Sequence, residues 1–366
     1  MSRNPVDVYG FINAKLRAKI GLMKESHIIE DLLKASSLVE AVSVLRDSQY
    51  QRVAEAYDRT GDVQHMEMVL LEIEIEMYRE VARFLEGTSA TLVRHLLGKI
   101  EMDNLKNCIR LWYSSIIRHR PIRYRSEYLF KQRMVYPIDW TALINATSWE
   151  SVANAIKDSP YYDVVHSYEE TVLQQDGLFG LETDLDRLWY MQLMESTKEL
   201  SAADRDAATS IFLVEIDLKN LLVLTRYGWY HEMPSELLRQ QLIPSGRVAR
   251  SPETEAYLQK RPEERNPLDI INRYFPGLEQ TKISVLRDRG NLHQDESSVL
   301  ENLKIEGYLA ERRQRLYRRA LASDPFTIGL PLAYFFLFKD ETTMVKAILN
   351  GKYYGFDEQY IRGVIE

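Results

Sequence analysis

The sequence has 366 residues, a formal net charge of -7, 45% hydrophobic and 28% charged residues, and its mean hydropathy is -0.33. These globular values exclude a chain that is disordered as a whole, and the length predicts two to three domains. The acidic balance argues against non-specific nucleic-acid binding, which usually needs a basic surface.

The two ends of the sequence carry no targeting or membrane signal. The first residues lack the apolar core of a signal peptide, and the uncharged stretch 325–338 is shorter than the roughly 20 residues of a spanning helix. The single cysteine, Cys108, cannot form an internal disulfide, which suits a reducing compartment. We therefore expect a cytoplasmic protein without a transmembrane segment.

Most of the chain has the pattern of amphipathic helices. Between Val69 and Leu85, apolar residues recur at three- and four-residue steps, which predicts a helix with Gly87 as its C-cap. Five prolines between His231 and Arg273 predict short helices and loops. Period-2 alternation is almost absent and glycine and proline are sparse, so the pattern favours an all-α fold.

Residues 32–50 and 143–161 resemble each other at a constant offset of 111. Each segment predicts a serine-capped short helix with one apolar face, followed by a Ser-x-Tyr sequence that ends at Tyr50 and at Tyr161. Such similarity indicates an internal repeat.

A second pattern occurs three times, as an acidic residue three positions before an Asn-Leu pair with an arginine following. On a helix this spacing places the acidic residue and the asparagine on one face. The third copy has Met344 and Asn350 in place of the asparagine and the arginine. The candidate repeat-motif residues are Glu101, Asn104, Leu105 and Arg110, then Asp217, Asn220, Leu221 and Arg226, then Glu341.

No motif for catalysis or for a cofactor occurs in the sequence. It lacks a phosphate-binding loop, a dinucleotide-binding glycine pattern, a nucleophile elbow and the H-E-x-x-H zinc pattern. One cysteine makes a thiolate zinc site implausible. We expect no catalytic residue, no cofactor and no metal site.

Two basic clusters stand out against the acidic background and could contact lipid headgroups, an acidic partner or RNA. The cluster at 312–319 equally fits a solvated arginine-rich helix face. The other, in an expected inter-repeat connection, is the candidate partner interface, and it consists of Arg118, Arg120, Arg123, Tyr124 and Arg125.

The most apolar part of the chain begins near residue 323. Asp324 is a candidate N-cap, with Pro325 at the first helical position, and Phe326 and Gly329 follow. The aromatic residues after them fit either a core or a docking surface for a hydrophobic partner.

Seven stretches of the chain are informative together: Tyr9 to Arg17, Glu215 to Leu221, Pro325 to Gly329, Tyr334, Lys339 to Glu341, Gly351-Lys352 and Ile361-Arg362. They resemble the C subunit of the V/A-type rotary ATPases, whose eukaryotic relative is the d subunit. The resemblance rests on the order and spacing of these motifs over nearly the whole chain rather than on any single motif.

The resemblance implies three homologous helical-bundle domains arranged as a pseudo-threefold funnel. Together with the internal offsets, it places the repeats at 1–120, 121–232 and 233–366, the last one diverged and carrying a proline-rich insertion at about 244–267. It implies a non-catalytic subunit, peripheral on the inner face of the membrane, whose partners are the central-shaft rotor subunits and the membrane proteolipid ring. Such a protein couples ATP hydrolysis or synthesis to proton or sodium transport.

Two other functions are alternatives to this role. A helical adaptor or scaffold in another cytoplasmic complex is the alternative. An all-helical enzyme is disfavoured, because acidic metal-diphosphate motifs are absent from the sequence.

Overall fold

The computed structural model describes residues 4–120, 129–276 and 294–365. Every regular element in these ranges is a helix, which confirms the all-α class. The α-helices described are α1 (Pro5–Glu25), α2 (Ile28–Lys34), α3 (Leu38–Arg46), α4 (Gln51–Thr60), α5 (Val63–Ala82), α6 (Gly87–Trp112), α7 (Trp140–Ile144), α8 (Trp149–Ala155), α9 (Tyr162–His166), α10 (Glu170–Asp176), α11 (Phe179–Thr197), α12 (Ala202–Val223), α13 (Ser235–Gln241), α14 (Pro252–Gln259), α15 (Leu268–Tyr274), α16 (Gln294–Leu321), α17 (Gly329–Tyr353) and α18 (Glu358–Ile365).

The order of long and short helices along the chain is periodic. Three pairs of long helices, α5 with α6, α11 with α12 and α16 with α17, each follow a group of short helices. Three repeats of one unit would give this order. The domain boundaries and the funnel arrangement stay predictions.

The chain divides into two compact units. Unit 1 comprises Met1–Leu200 with Phe338–Asp357, and unit 2 comprises Ser201–Leu337 with Glu358–Glu366. Helix α17 contributes residues to both. The proline-rich region lies in unit 2 and forms the short helices α13, α14 and α15, as predicted, and they bury apolar residues such as Leu238, Leu258 and Ile271.

The segments related by the offset of 111 have the same local structure. Ser37 and Ser148 are the N-caps of α3 and α8, and each side chain accepts a backbone N–H from three residues ahead. In both segments the serine of the Ser-x-Tyr sequence donates to a carbonyl three residues earlier. The tyrosines that follow, Tyr50 and Tyr161, are buried.

Two predicted helix boundaries were wrong. Gly87 does not cap α5, which ends at Ala82, but begins α6 with a φ of 57°, a conformation that glycine adopts without a steric penalty. Helix α17 begins at Gly329 rather than at Pro325. Asp324 accepts the backbone N–H of Phe326 and so stabilises a turn before the helix.

None of the helices in the described part of the chain combines the length and the apolar character that a membrane crossing requires.

Candidate functional site

Asn104, on α6, binds an irregular stretch of backbone 26 residues further along the chain. Its Nδ2 donates to the carbonyl oxygen of Phe130 at 2.8 Å, and the N–H of Phe130 donates back to its Oδ1 at 3.2 Å. A side-chain amide can satisfy both backbone groups of one residue in this way. Because Asn104 is buried, the pair anchors this connecting segment to α6 without leaving unpaired polar groups there.

Glu101 lies one turn before Asn104 and holds the next part of the same segment. Its Oε2 accepts the N–H groups of Val135 at 2.8 Å and of Tyr136 at 3.0 Å, and the Tyr161 hydroxyl lies 3.4 Å from Oε1. The residue has no exposed surface. Burial raises the pKa of the Glu101 carboxyl, whereas the backbone hydrogen bonds act in the opposite direction.

The second copy of the motif, on α12, has the same arrangement. Asn220 donates to the carbonyl of Ile243 at 3.0 Å and accepts the N–H of Ile243 at 2.8 Å. Asp217 accepts the N–H of Val248 at 3.0 Å and the Nε–H of Arg247 at 2.7 Å. We call each set of motif side chains and the segment it binds a clamp.

Gly246 is the residue that lets the second clamp close. A Cβ atom at this position would lie 2.7 Å from Asn220 Nδ2 and 2.8 Å from Asp217 Oδ1. These separations are far below van der Waals contact. Glycine is therefore required by the close approach of the backbone to the two motif side chains.

The third copy, on α17, binds the first repeat segment of the chain. Glu341 accepts the Tyr50 hydroxyl at 2.7 Å and the Gln49 amide at 2.5 Å. Further along α17, Lys352 donates to the carbonyl of Leu33 at 2.8 Å. Burial raises the pKa of the Glu341 carboxyl, and the two side-chain hydrogen bonds lower it. With Met344 in place of the asparagine, this clamp relies on side-chain donors.

The leucines and arginines of the motif have different surroundings. Leu105 and Leu221 are completely buried. Arg110 makes a two-point ion pair with Glu182, at 2.6 Å for each hydrogen bond, and so connects α6 to α11. Arg226 is exposed in a π-helical turn that extends α12, and a similar turn, Tyr113–Ile117, extends α6.

The interface between the packed helices α6 and α11 also contains a half-buried ion cluster. Lys99 and Lys106 of α6 both contact Asp186 of α11, at 3.1 and 2.9 Å, and both contact Asp103. The two ammonium groups hold the pKa of the Asp103 carboxyl below its usual value despite burial. The cluster is a structural link.

Only part of the candidate partner interface lies within the described residues. Arg118 and Arg120 are exposed, and the Arg118 guanidinium lies 5.2 Å from the ring centroid of Tyr113. The backbone N–H of Arg120 donates to Ser114 at 2.9 Å. Arg123, Tyr124 and Arg125 lie outside the described residues.

The candidate residues before α17 belong to the turn that leads into it. Pro325 and Phe326 are in this turn, and Gly329 is the first residue of the helix. Asp204 of α12, buried, accepts the N–H of Ile328 at 2.8 Å and fixes the end of the turn. Asp204 was not identified from the sequence, because a lone acidic residue near a helix start resembles an ordinary capping residue.

Helix α1 exposes an apolar stripe opposite to its buried face. Phe11, Ala14, Ala18 and Leu22 follow one another at steps of three and four residues, and Phe11 and Leu22 are 66% and 65% exposed. Phe84, in the turn that follows α5, extends the stripe, with its ring 5.1 Å from that of Phe11. Among the described residues of unit 1, this α1 stripe is an exposed apolar surface.

The sequence predicts the motif side chains but not the groups that they bind. Phe130, Ile243 and Val248 contribute backbone atoms, which leave no residue-type signal. Gly246, about 30 residues after Asp217 and within the segment 244–267, is a residue whose type could have indicated the contact.

The clamps organise backbone and offer no reactive group. The carboxylates of Glu101 and Asp217 are completely buried and are saturated by donors from the chain itself. Across residues 4–120, 129–276 and 294–365, no cluster of histidine, cysteine and acidic side chains has the geometry of a metal site.

Comparisons with known proteins identify the family of the chain. The family described as ATP synthase (C/AC39) subunit matches residues 12–364. The C subunit of the A-type ATP synthase of Thermococcus gammatolerans is 20% identical over 98% of this chain and 89% of its own length. The proteins of the same name from Methanocaldococcus jannaschii and Thermococcus onnurineus are 20% and 22% identical over 98% and 93% of this chain, and over 86% and 85% of their own lengths. The chain therefore belongs to the ATP synthase (C/AC39) subunit family, as a non-catalytic member of the complex.

Proposed function

We propose that this chain is the central-stalk subunit that couples the rotor shaft of a V/A-type rotary ATPase to the membrane ring of proteolipid subunits. In this role it transmits torque between the ATP-converting head and the proton- or sodium-translocating ring, on the inner face of the membrane. The family match over residues 12–364 is the observation that carries the proposal.

The clamps suit a part that transmits torque. Each one fastens the segment that follows a long helix, or in the third case the first repeat segment, through buried hydrogen bonds. Buried and fully satisfied polar contacts resist rearrangement, because breaking one leaves an unpaired group in a low-dielectric interior. The clamps therefore stiffen the backbone within each unit, and contacts with partners need separate surface residues.

Two surfaces are candidates for those partners. The α1 stripe offers exposed apolar area with the shape of one helix face, which fits an apolar face of a helix from another protein of the complex. Arg118 and Arg120 offer exposed positive charge, which fits an acidic surface of a partner.

Affinity purification of the tagged chain from native membranes tests the role. We expect the head and proteolipid subunits of the ATPase to be recovered with it. Reproducible recovery of neither, or of an unrelated cytoplasmic complex instead, would contradict the rotor role and favour a helical adaptor.

The α1 stripe is tested by the double variant Phe11→Ser/Leu22→Ser. Both side chains are mostly exposed, so the free energy of unfolding should change little while recovery of partner subunits falls. Val39→Ser on α3 is the matched control, because Val39 is 67% exposed outside the stripe. Equal recovery with both variants would remove the stripe from the interface.

The arginines are tested by Arg118→Glu/Arg120→Glu. Charge reversal at an interface should weaken association and reduce its dependence on salt. Arg59→Glu, at an exposed arginine on α4, controls for charge reversal at a surface position outside the cluster. Unchanged recovery at low and high salt would exclude Arg118 and Arg120 from the contact.

A further inference from the structure

A hollow of about 380 Å³ lies between the end of α5 and the start of α6. Its volume is within the range of about 300–1,000 Å³ that is typical of ligand pockets. The uncharged lining residues are Tyr78, Ala82, Ala90, Val93, Leu97 and Met134.

The other described lining residues are the three arginines Arg79, Arg83 and Arg94, so no acidic side chain is among the lining residues that the structure describes. We call the site the arginine-rimmed hollow. Arg83 and Arg94 are exposed, whereas Arg79 is half-buried. Because the whole chain has a net charge of -7, a local group of three cations without an acid is unusual here.

The three guanidinium groups have no carboxylate partner among the residues that the structure describes. Arg79 donates to the carbonyl of Arg133 at 2.6 Å, and Arg94 donates to Thr91 Oγ1 at 3.3 Å. Other arginines of the same unit are paired, such as Arg52 with Glu76 at 2.6 Å. A guanidinium carries five N–H donors, so most of the donors around the hollow are available to a ligand.

We propose that the arginine-rimmed hollow binds an anionic amphiphile, a phosphate group on an apolar body. The phosphate is recognised by Arg83 and Arg94, since planar guanidinium groups match phosphate oxygens in charge and geometry. The apolar body packs against Val93, Leu97 and Met134. The same chemistry is offered by a membrane phospholipid and by a soluble phosphate ester.

Both halves of the ligand are needed for tight binding. Exposed arginines alone hold inorganic phosphate weakly, because water screens the charges. Apolar contact removes surface from water, and it also brings the phosphate to a partly desolvated edge where its hydrogen bonds are stronger. A zwitterionic headgroup of the same size adds a cation, which the arginines repel.

Titration of the full chain with dihexanoyl phosphatidic acid below its micellar concentration tests the proposal, read by calorimetry and by the ¹³C-methyl NMR signal of Met134. We expect binding at least about tenfold tighter than that of inorganic phosphate and of dihexanoyl phosphatidylcholine, with a shift of the Met134 signal. Equal affinity for the three probes, or binding without a shift at Met134, would overturn the proposal.

Three variants locate the ligand. Arg83→Gln and Arg94→Gln should each weaken binding about tenfold or more, because each removes charge-assisted hydrogen bonds to the phosphate. Ala90→Leu should weaken it by filling the hollow while leaving the arginines in place. Arg59→Gln, which makes the same change of charge on α4, should bind like the parent chain. Parent-like binding by all three hollow variants would refute the site.

Two further probes distinguish a soluble phosphate ester from a membrane lipid as the ligand. Hexyl phosphate that binds as tightly as dihexanoyl phosphatidic acid would support a soluble phosphate ester, and Arg83-dependent binding to phosphatidic-acid vesicles would support a membrane lipid. Displacement of the short lipid by an acidic peptide that itself binds tenfold more tightly would instead indicate a protein ligand and overturn the proposal. These measurements use the isolated chain, so their outcome is independent of its assembly with other subunits.

Discussion

The hydroxyl of Tyr50 donates a hydrogen bond of 2.7 Å to the carboxylate of Glu341, 291 residues further along the chain. The hydroxyl of Tyr161 lies 3.4 Å from the carboxylate of Glu101 in the same relationship. In both pairs, the tyrosine that ends a repeated short-helix segment reaches the acidic residue of a long-helix motif. The short-helix repeat and the acidic-Asn-Leu motif seen in the sequence thus contact each other in the structure.

Replacing Tyr50 with phenylalanine should destabilise the chain by about 1.5–3 kcal/mol, because a hydrogen bond to a charged, buried carboxylate is lost. Urea unfolding of Tyr50→Phe, Glu341→Gln and the double variant forms a mutant cycle. We expect a coupling energy of at least about 0.5 kcal/mol between residues in contact.

Tyr57→Phe is the matched control for the Tyr50 variant, since Tyr57 lies on α4 of the same unit and no hydrogen bond involves its hydroxyl within the described ranges. Its unfolding free energy should stay within about 0.5 kcal/mol of the parent value. Additive effects of Tyr50→Phe and Glu341→Gln would contradict the contact.

Asn104→Ala should cost about 2–4 kcal/mol in the free energy of unfolding. The change leaves the N–H and the carbonyl of Phe130 without their partners in a buried setting, and each unsatisfied group is costly. Asn154→Ala on α8 is the control, because Asn154 is exposed and alanine is a better helix former. Equal stability of the two variants, measured by urea unfolding, would show that the Asn104 pair contributes nothing.

Gly246→Ala should destabilise unit 2, because the added methyl group would overlap Asn220 Nδ2 at 2.7 Å and Asp217 Oδ1 at 2.8 Å. We expect the free energy of unfolding to fall by about 1–3 kcal/mol, or the clamp to be displaced.

Gly21→Ala provides the opposite control. Nothing lies within 4 Å of a Cβ at this α1 position, so alanine should stabilise by about 0.5–1 kcal/mol. If calorimetry shows that both variants have melting temperatures lowered by the same amount, the result would argue against a clash at Gly246.

The all-α class and the motif faces could be predicted because they depend on local periodicity. The apolar spacing before Leu85 requires a helix whatever it packs against, and serine caps act within one turn. The acidic residue and the asparagine of each motif are three residues apart, so their common face follows from helix geometry alone.

The partners of the motif could not be predicted, because they are mostly main-chain atoms. The N–H of Val135 and the carbonyl of Ile243 look the same in any sequence, and only the fold brings them to α6 and α12. The start of α17 at Gly329 differs from the predicted start at Pro325 for a similar reason. Asp204, more than a hundred residues away, accepts a backbone N–H there and favours a turn over a longer helix.

The buried carboxylate of Glu101 gives the last prediction, a specific dependence of stability on pH. Burial raises its pKa in the folded chain above the unfolded value of 4.5. Between these two pKa values the folded state binds more protons than the unfolded state, so this group makes the free energy of unfolding fall as pH rises.

Glu101→Gln retains an oxygen for the N–H groups of Val135 and Tyr136 but cannot ionise. Relative to this variant, the parent chain should therefore lose stability as pH rises from 4.5 through the raised pKa. Urea unfolding of both chains across this range measures the difference, and Glu150→Gln, at an exposed position of α8, controls for removal of a carboxylate. A constant difference between the parent and Glu101→Gln at every pH would show that the Glu101 carboxyl has the same pKa in the folded and unfolded chains.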